Sequence, residues 1–182
     1  MKGGEEEWEW EREVKEGEED EEMEREMLYA VVRLRGRVDV RPEVRHTLRL
    51  LRLNRLNHCV VVPANEYYKG MLKVVKDYVA WGEISEDMLT LLLKRRGRLE
   101  GGKRLTEEYL RENTPFKSFE ELAKALIDGK IKMKELMKYK IKPIFRLHPP
   151  RKGHRGIKKS FSMGGELGYH GNKINELLYK MR

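Results

Sequence analysis

Five arginines, Arg41, Arg45, Arg49, Arg52 and Arg55, recur at spacings of four and three residues. On a helix that turns about 100° per residue they share one arc of roughly 120°. A guanidinium presents a rigid fork of donors that meets phosphate oxygens in pairs, which an ammonium cannot copy. Such a stripe is a candidate phosphate-binding face. The plainer reading is a solvated helix face, but those faces mix signs to form i,i+4 pairs, and only Glu43 stands nearby. Arg33, Arg35 and Arg37 lie just upstream and extend the cationic stretch. A second cluster holds Arg146, His148, Arg151, Lys152, His154, Arg155, Lys158, Lys159 and Lys173, interleaved with Phe161, Tyr169 and six glycines. Glycine lets backbone amides approach phosphate closely, and an aromatic such as Tyr169 can stack on an unpaired base. The alternative for this segment is a flexible basic linker, since a free loop of this composition is poorly ordered until an RNA surface orders it.

Catalytic chemistry finds little support. Cys59 follows His58, but strand alternation sends the two side chains to opposite faces, so a buried structural cysteine is the expected role. The five histidines are scattered without metal-ligand spacing, and GxxxxGK[ST] does not occur. The expectation is a protein that is not an enzyme and uses no metal, cofactor or small-molecule substrate. Lys94-Arg95-Arg96-Gly97-Arg98 looks like a localisation tract, yet cations that complement a helix C-terminus give the same string.

Charge points the same way as the clusters. The chain has 182 residues, 38% of them charged, with a net charge of +8. Residues 1–27 carry 14 acidic and 4 basic side chains, a net of −10, which leaves +18 on residues 28–182. A body so one-sided repels itself unless a polyanion is its usual partner, and nucleic acid is the commonest. Heat-adapted surface chemistry explains many charges, including the absence of Gln, but not the imbalance. No apolar run approaches the roughly 20 residues of a membrane span. One cysteine and an acidic N-terminus fit a soluble intracellular chain without membrane partners.

The elements that must hold these residues read as an α+β fold. Residues 1–27, of which 13 are Glu, are expected to be disordered. They form either an acidic arm that shields the basic body or a stretch upstream of a true start at Met27, and the second is favoured. Strand, helix, strand, helix and strand follow over 28–84: an apolar run from Leu28 to Leu34, a helix from Pro42 to about Leu53, His58 to Val62, a helix near 66–77, and a strand beginning at Tyr78. Ser85, Thr106 and Ser118 (the last with Glu121 as a capping box) open helices of an extension over 85–142. Residues 143–182 hold a returning extended segment, the basic glycine-rich loop 151–171 and a terminal helix over 172–181.

Several blocks resemble one family. They are Ala30-Val31-Val32-Arg33-Leu34-Arg35-Gly36-Arg37, Arg45-His46-Thr47-Leu48, and Leu53 to Cys59. Gly70-Met71-Leu72, Asp77-Tyr78, Trp81-Gly82-Glu83 and Arg95-Arg96-Gly97-Arg98 add to them. The most specific are Phe145-Arg146-Leu147-His148-Pro149-Pro150-Arg151, Gly164 to Tyr169, and Ile174-Asn175. Over 28–182 the chain is similar to the large-subunit ribosomal protein thirty family in its long archaeal form, akin to eukaryotic large-subunit protein seven. The resemblance implies a ferredoxin-like β-α-β-α-β two-layer sandwich with added helices and a basic C-terminal extension. It implies a structural, non-catalytic role in the cytoplasmic ribosome, bound to large-subunit ribosomal RNA. The 5S ribosomal RNA and neighbouring ribosomal proteins are further partners it implies. The acidic start departs from the family pattern.

Overall fold

The computed structural model describes residues 27–182; the expected disorder of the acidic segment falls almost wholly on residues outside this range. One five-stranded sheet runs through the molecule in the order β4 (Phe145–Arg146), β2 (His58–Pro63), β1 (Leu28–Arg33), β3 (Val79–Glu83) and β5 (Gly168–Tyr169). Strand β1 (Leu28–Arg33) lies at its centre, antiparallel to β2 (His58–Pro63) and to β3 (Val79–Glu83). Helix α1 (Pro42–Leu50) joins β1 to β2, and α2 (Glu66–Val75) joins β2 to β3. The expected β-α-β-α-β order is therefore present.

All six residues of β1 are buried. Alternation explains how: Tyr29 and Val31 pack with Val44 and Leu48 of α1 and Leu72 and Val75 of α2. Ala30 and Val32 face the opposite core, built from α3 (Glu86–Arg96), α5 (Phe119–Ile127) and α6 (Ile174–Met181). A strand covered on both faces reads as a continuous apolar run, as this one does. Helices α1 and α2 with the sheet form the two-layer sandwich, and the added helices cover its other face.

Capping residues start the helices where the sequence places them. Ser85, Thr106 and Ser118 accept hydrogen bonds from the backbone N–H groups of Met88, Tyr109 and Glu121. Thr106 thereby opens α4 (Glu107–Asn113). The Glu121 carboxylate returns to the Lys117 N–H, one residue ahead of the cap. Asn65 caps α2 in the same way.

Two expectations need correction. Helix α1 ends at Leu50, not near Leu53. The Arg52 N–H bonds to Arg49 O and the Leu53 N–H to Leu48 O, while Arg52 takes φ 62°. This is a Schellman ending in which the buried pair Leu48 and Leu53 closes the turn and an arginine stands where glycine is usual. Arg52 and Arg55 therefore leave the helical stripe. The segment 151–171 is likewise no free loop. The buried Glu166 carboxylate accepts from His154 and from the Arg155 N–H, Phe161 stacks on His170 at 4.1 Å, and His170 Nε2 lies 2.9 Å from Glu166 O. The segment ends in β5 (Gly168–Tyr169), parallel to β3 with Trp81 opposite Tyr169. On the far edge β4 (Phe145–Arg146) pairs with His58 and Cys59.

Candidate nucleic-acid interface

Pro42 at the first helical position fixes where α1 begins, and Val44 and Leu48 anchor its inner face. The outer face then carries Arg45 and Arg49 into solvent, with Arg41 exposed at the N-cap. Arg37, Arg45, Arg49 and Asn54 line one groove of about 420 Å³. Arg55 is exposed beyond the helix end. Among the described residues, ion pairs are Arg111–Glu107, Lys130–Asp128, Lys138–Glu135 and His154–Glu166, so no described carboxylate pairs with this face.

Arg33 borders the same groove but is held inward. Its residue is only 4% exposed, and its three guanidinium nitrogens donate to Arg35 O at 2.9 Å, Leu53 O at 2.7 Å and Gly36 O at 2.9 Å. Burial lowers its pKa, with Arg37 adding to the effect. The side chain ties β1 to the two loops that follow it, with each of its three nitrogens already donating to a carbonyl. Arg35 is half-buried, stacked over Tyr78 at 4.9 Å and bonded to Asp77 O at 3.2 Å. Arg52 is half-buried, 3.2 Å from Met137 Sδ.

In the second cluster Arg146, His148, Arg151, Lys152, Arg155, Lys158, Lys159 and Lys173 all have exposed side chains. His154 is the exception: its Nδ1 is committed to Glu166, so it orders the segment rather than facing outward. The Tyr169 hydroxyl donates to Glu83 Oε1 at 2.7 Å. That bond, with burial and the nearby carboxylate behind it, pushes the phenol up to about 12. The residue as a whole is 51% exposed.

The pairing of β5 with β3 brings the two clusters together. Arg35 and Arg41 from the first and Lys158 and Tyr169 from the second line a shared cleft of about 740 Å³. Nothing in the spacing of either cluster announces this, because it depends on a two-residue strand pairing across the chain.

Two basic features lie outside the expected set. His58 is half-buried with Nδ1 unpartnered among the described residues. Burial lowers its pKa first, then the cations Arg146, Arg55 and Arg33, while a backbone bond to Arg52 acts the other way. At the end of α3, Arg96 has its pKa lowered by burial and by Arg98, Arg104 and Arg95. The Arg98–Arg104 bridge around Gly101-Gly102 draws these charges together, a hairpin signal the helix-end reading passed over. Cys59 is fully buried and its thiol is pushed up to about 12 by desolvation, so it is inert as a nucleophile.

The family described as ribosomal protein L30p/L7e matches residues 29–79. Over 155 residues the chain is 57% identical to the large ribosomal subunit protein uL30 of Methanothrix thermoacetophila, covering 85% of this chain and 100% of that one. The chain belongs to the ribosomal protein L30p/L7e family. It is also 57% identical over 157 residues to uL30 of Methanococcus maripaludis, covering 85% of this chain and 99% of that one. With uL30 of Archaeoglobus fulgidus the identity is 54% over 155 residues, covering 85% and 100%. Family membership agrees with the resemblance carried by the sequence blocks. It also accounts for the α+β sheet fold and for a chain that is not an enzyme.

Proposed function

We propose that this chain is a structural constituent of the large ribosomal subunit, acting in the cytoplasmic ribosome, and that it holds ribosomal RNA through its two Arg/Lys surfaces. The observation that carries the reading is the α1 face with the 146–173 segment: exposed cations on both, no described carboxylate paired with them, and a cleft where they meet. The relatives' printed name, large ribosomal subunit protein, supports the setting. Each phosphate neutralised releases counterions, which supplies affinity. The shape of the folded RNA supplies most of the specificity, because side chains cannot read the deep A-form groove. In this reading the core 28–84 carries the α1 face, 85–142 supports it from behind the sheet, and 143–182 brings the second surface. The 5S ribosomal RNA and neighbouring ribosomal proteins are further contacts.

Sedimentation of native extract at high salt, with fractions probed for this chain, tests the proposal. Co-sedimentation with the large subunit is the expected result. Recovery only in light fractions overturns it and favours a free-standing RNA- or DNA-binding regulator.

A further inference from the structure

The cleft between the two clusters holds more than charge. Tyr78, Trp81, Phe161 and Tyr169 line it. The groove of Arg37, Arg45 and Arg49 contains no aromatic ring. Phosphate recognition alone calls for donors, not rings, so the two concavities suit different parts of a nucleic acid.

The rings are also held in place before any ligand arrives. Pairing of Trp81 with Tyr169 across β3 and β5 sets the two side by side, with ring centres 6.4 Å apart. Tyr29 meets Tyr169 edge-on at 6.3 Å, and Glu83 holds its hydroxyl. Arg35 backs Tyr78, and His170 stacks behind Phe161. Rings fixed in this way lose little freedom on binding, which favours tight association. Arg35, Arg41, Lys76 and Lys158 line the same cleft against one carboxylate, Asp77, so its charge suits an anion. Its volume of about 740 Å³ lies within the roughly 300–1,000 Å³ of small-ligand sites. A duplex keeps its bases stacked on one another and offers no base face to a ring in a cleft; an unpaired nucleotide does.

We propose that this cleft is a socket for one unpaired RNA nucleotide, which stacks its base on the Trp81–Tyr169 side and sets its phosphate between Arg41 and Lys158. The inference rests on the RNA-binding reading above and assigns the cleft a ligand distinct from the helical RNA met by the α1 face.

The test uses the full chain with Trp8→Phe and Trp10→Phe, which leaves Trp81 as the sole tryptophan. Its emission is followed during titration with a single-stranded tetranucleotide, a short RNA duplex, inorganic phosphate and an acidic peptide containing one phenylalanine. The single strand should quench Trp81 saturably, and the other three should not. Phe161→Leu and Tyr78→Leu should each weaken that quenching about tenfold while duplex affinity, measured separately by filter retention, stays unchanged. Absence of quenching by the single strand overturns the proposal, as does equal quenching by phosphate, peptide or duplex. Duplex binding without Trp81 quenching sinks the socket and leaves the surface reading intact. Quenching without duplex binding sinks the surface reading alone. Arg45→Ala with Arg49→Ala separates the two further, by lowering duplex affinity at an unchanged quenching midpoint.

Discussion

Arg33 spends its donors on the carbonyls of Leu53, Arg35 and Gly36, whereas Arg45 stays exposed on the outer face of α1 and makes one long bond, at 3.4 Å, to the Val40 carbonyl. The same side chain thus takes opposite roles, and each predicts its own phenotype. Arg33→Met removes one buried and two part-buried bonds and leaves carbonyls unsatisfied, a cost of roughly 2–3 kcal/mol in urea unfolding. Arg45→Ala or Arg49→Ala should leave unfolding unchanged and lower the slope of log affinity for ribosomal RNA against log salt by about one each. Unchanged slopes in both would remove α1 as the contact face. The difference was readable in β1: Arg33 closes an apolar run that is covered on both faces, so its position outweighs its residue type. His58 had no such signal, since its ring of Arg146, Arg55 and Arg33 forms only on folding. His58 and His170 both have pKa values lowered from 6.5, chiefly by burial. The unfolded chain then binds more protons near that pH, so stability falls as pH drops below about 6.5. His58→Gln should flatten the urea midpoint between pH 7.5 and 5; an equally steep loss in the variant would exonerate His58.

Among the elements, helix starts were more readable than helix ends. Ser85, Thr106 and Ser118 cap through side chains written in the sequence, so the starts of α3, α4 and α5 follow from local chemistry. The end of α1 turns instead on an apolar contact between Leu48 and Leu53, with no glycine to mark it. Arg52 holds φ 62° there, a conformation costing a side chain about 1 kcal/mol that glycine escapes. Arg52→Gly should therefore raise stability by about 0.5–1 kcal/mol in urea unfolding, and a loss would show that the Met137 contact outweighs the backbone term. β5 was unreadable for another reason: two residues carry no periodicity, and their pairing with β3 depends on the turn before them. Gly165 sits in that turn with its α-carbon against the Lys159 backbone, where no Cβ fits. Gly165→Ala should detach the 154–169 segment, read as new proteolytic cleavage near Lys158, while the core strands stay protected from hydrogen exchange.

At the scale of the whole molecule the charge imbalance was plain from composition, but its placement was not. Residues 28–182 carry +18, yet among the described residues the ion pairs outside the His154–Glu166 contact involve only Arg111, Lys130 and Lys138. The remaining cations repel one another across α1, the 146–173 segment and the Arg96–Arg104 corner, so the fold holds together against its own electrostatics. Salt should then act on stability and binding with opposite signs. Screening relieves self-repulsion, so the thermal midpoint of the chain begun at Met27 should rise by about 2–4 °C between 50 and 200 mM salt, equivalent to about 1 kcal/mol. RNA affinity should fall over the same range as counterion release weakens. The full chain, at +8, should show a smaller rise because its first 27 residues bring a net of −10. Calorimetry of both forms decides the matter: a midpoint that falls with salt in the Met27 form would mean that attractive pairs, not repulsion, dominate the body, and would remove the electrostatic argument for a polyanionic partner.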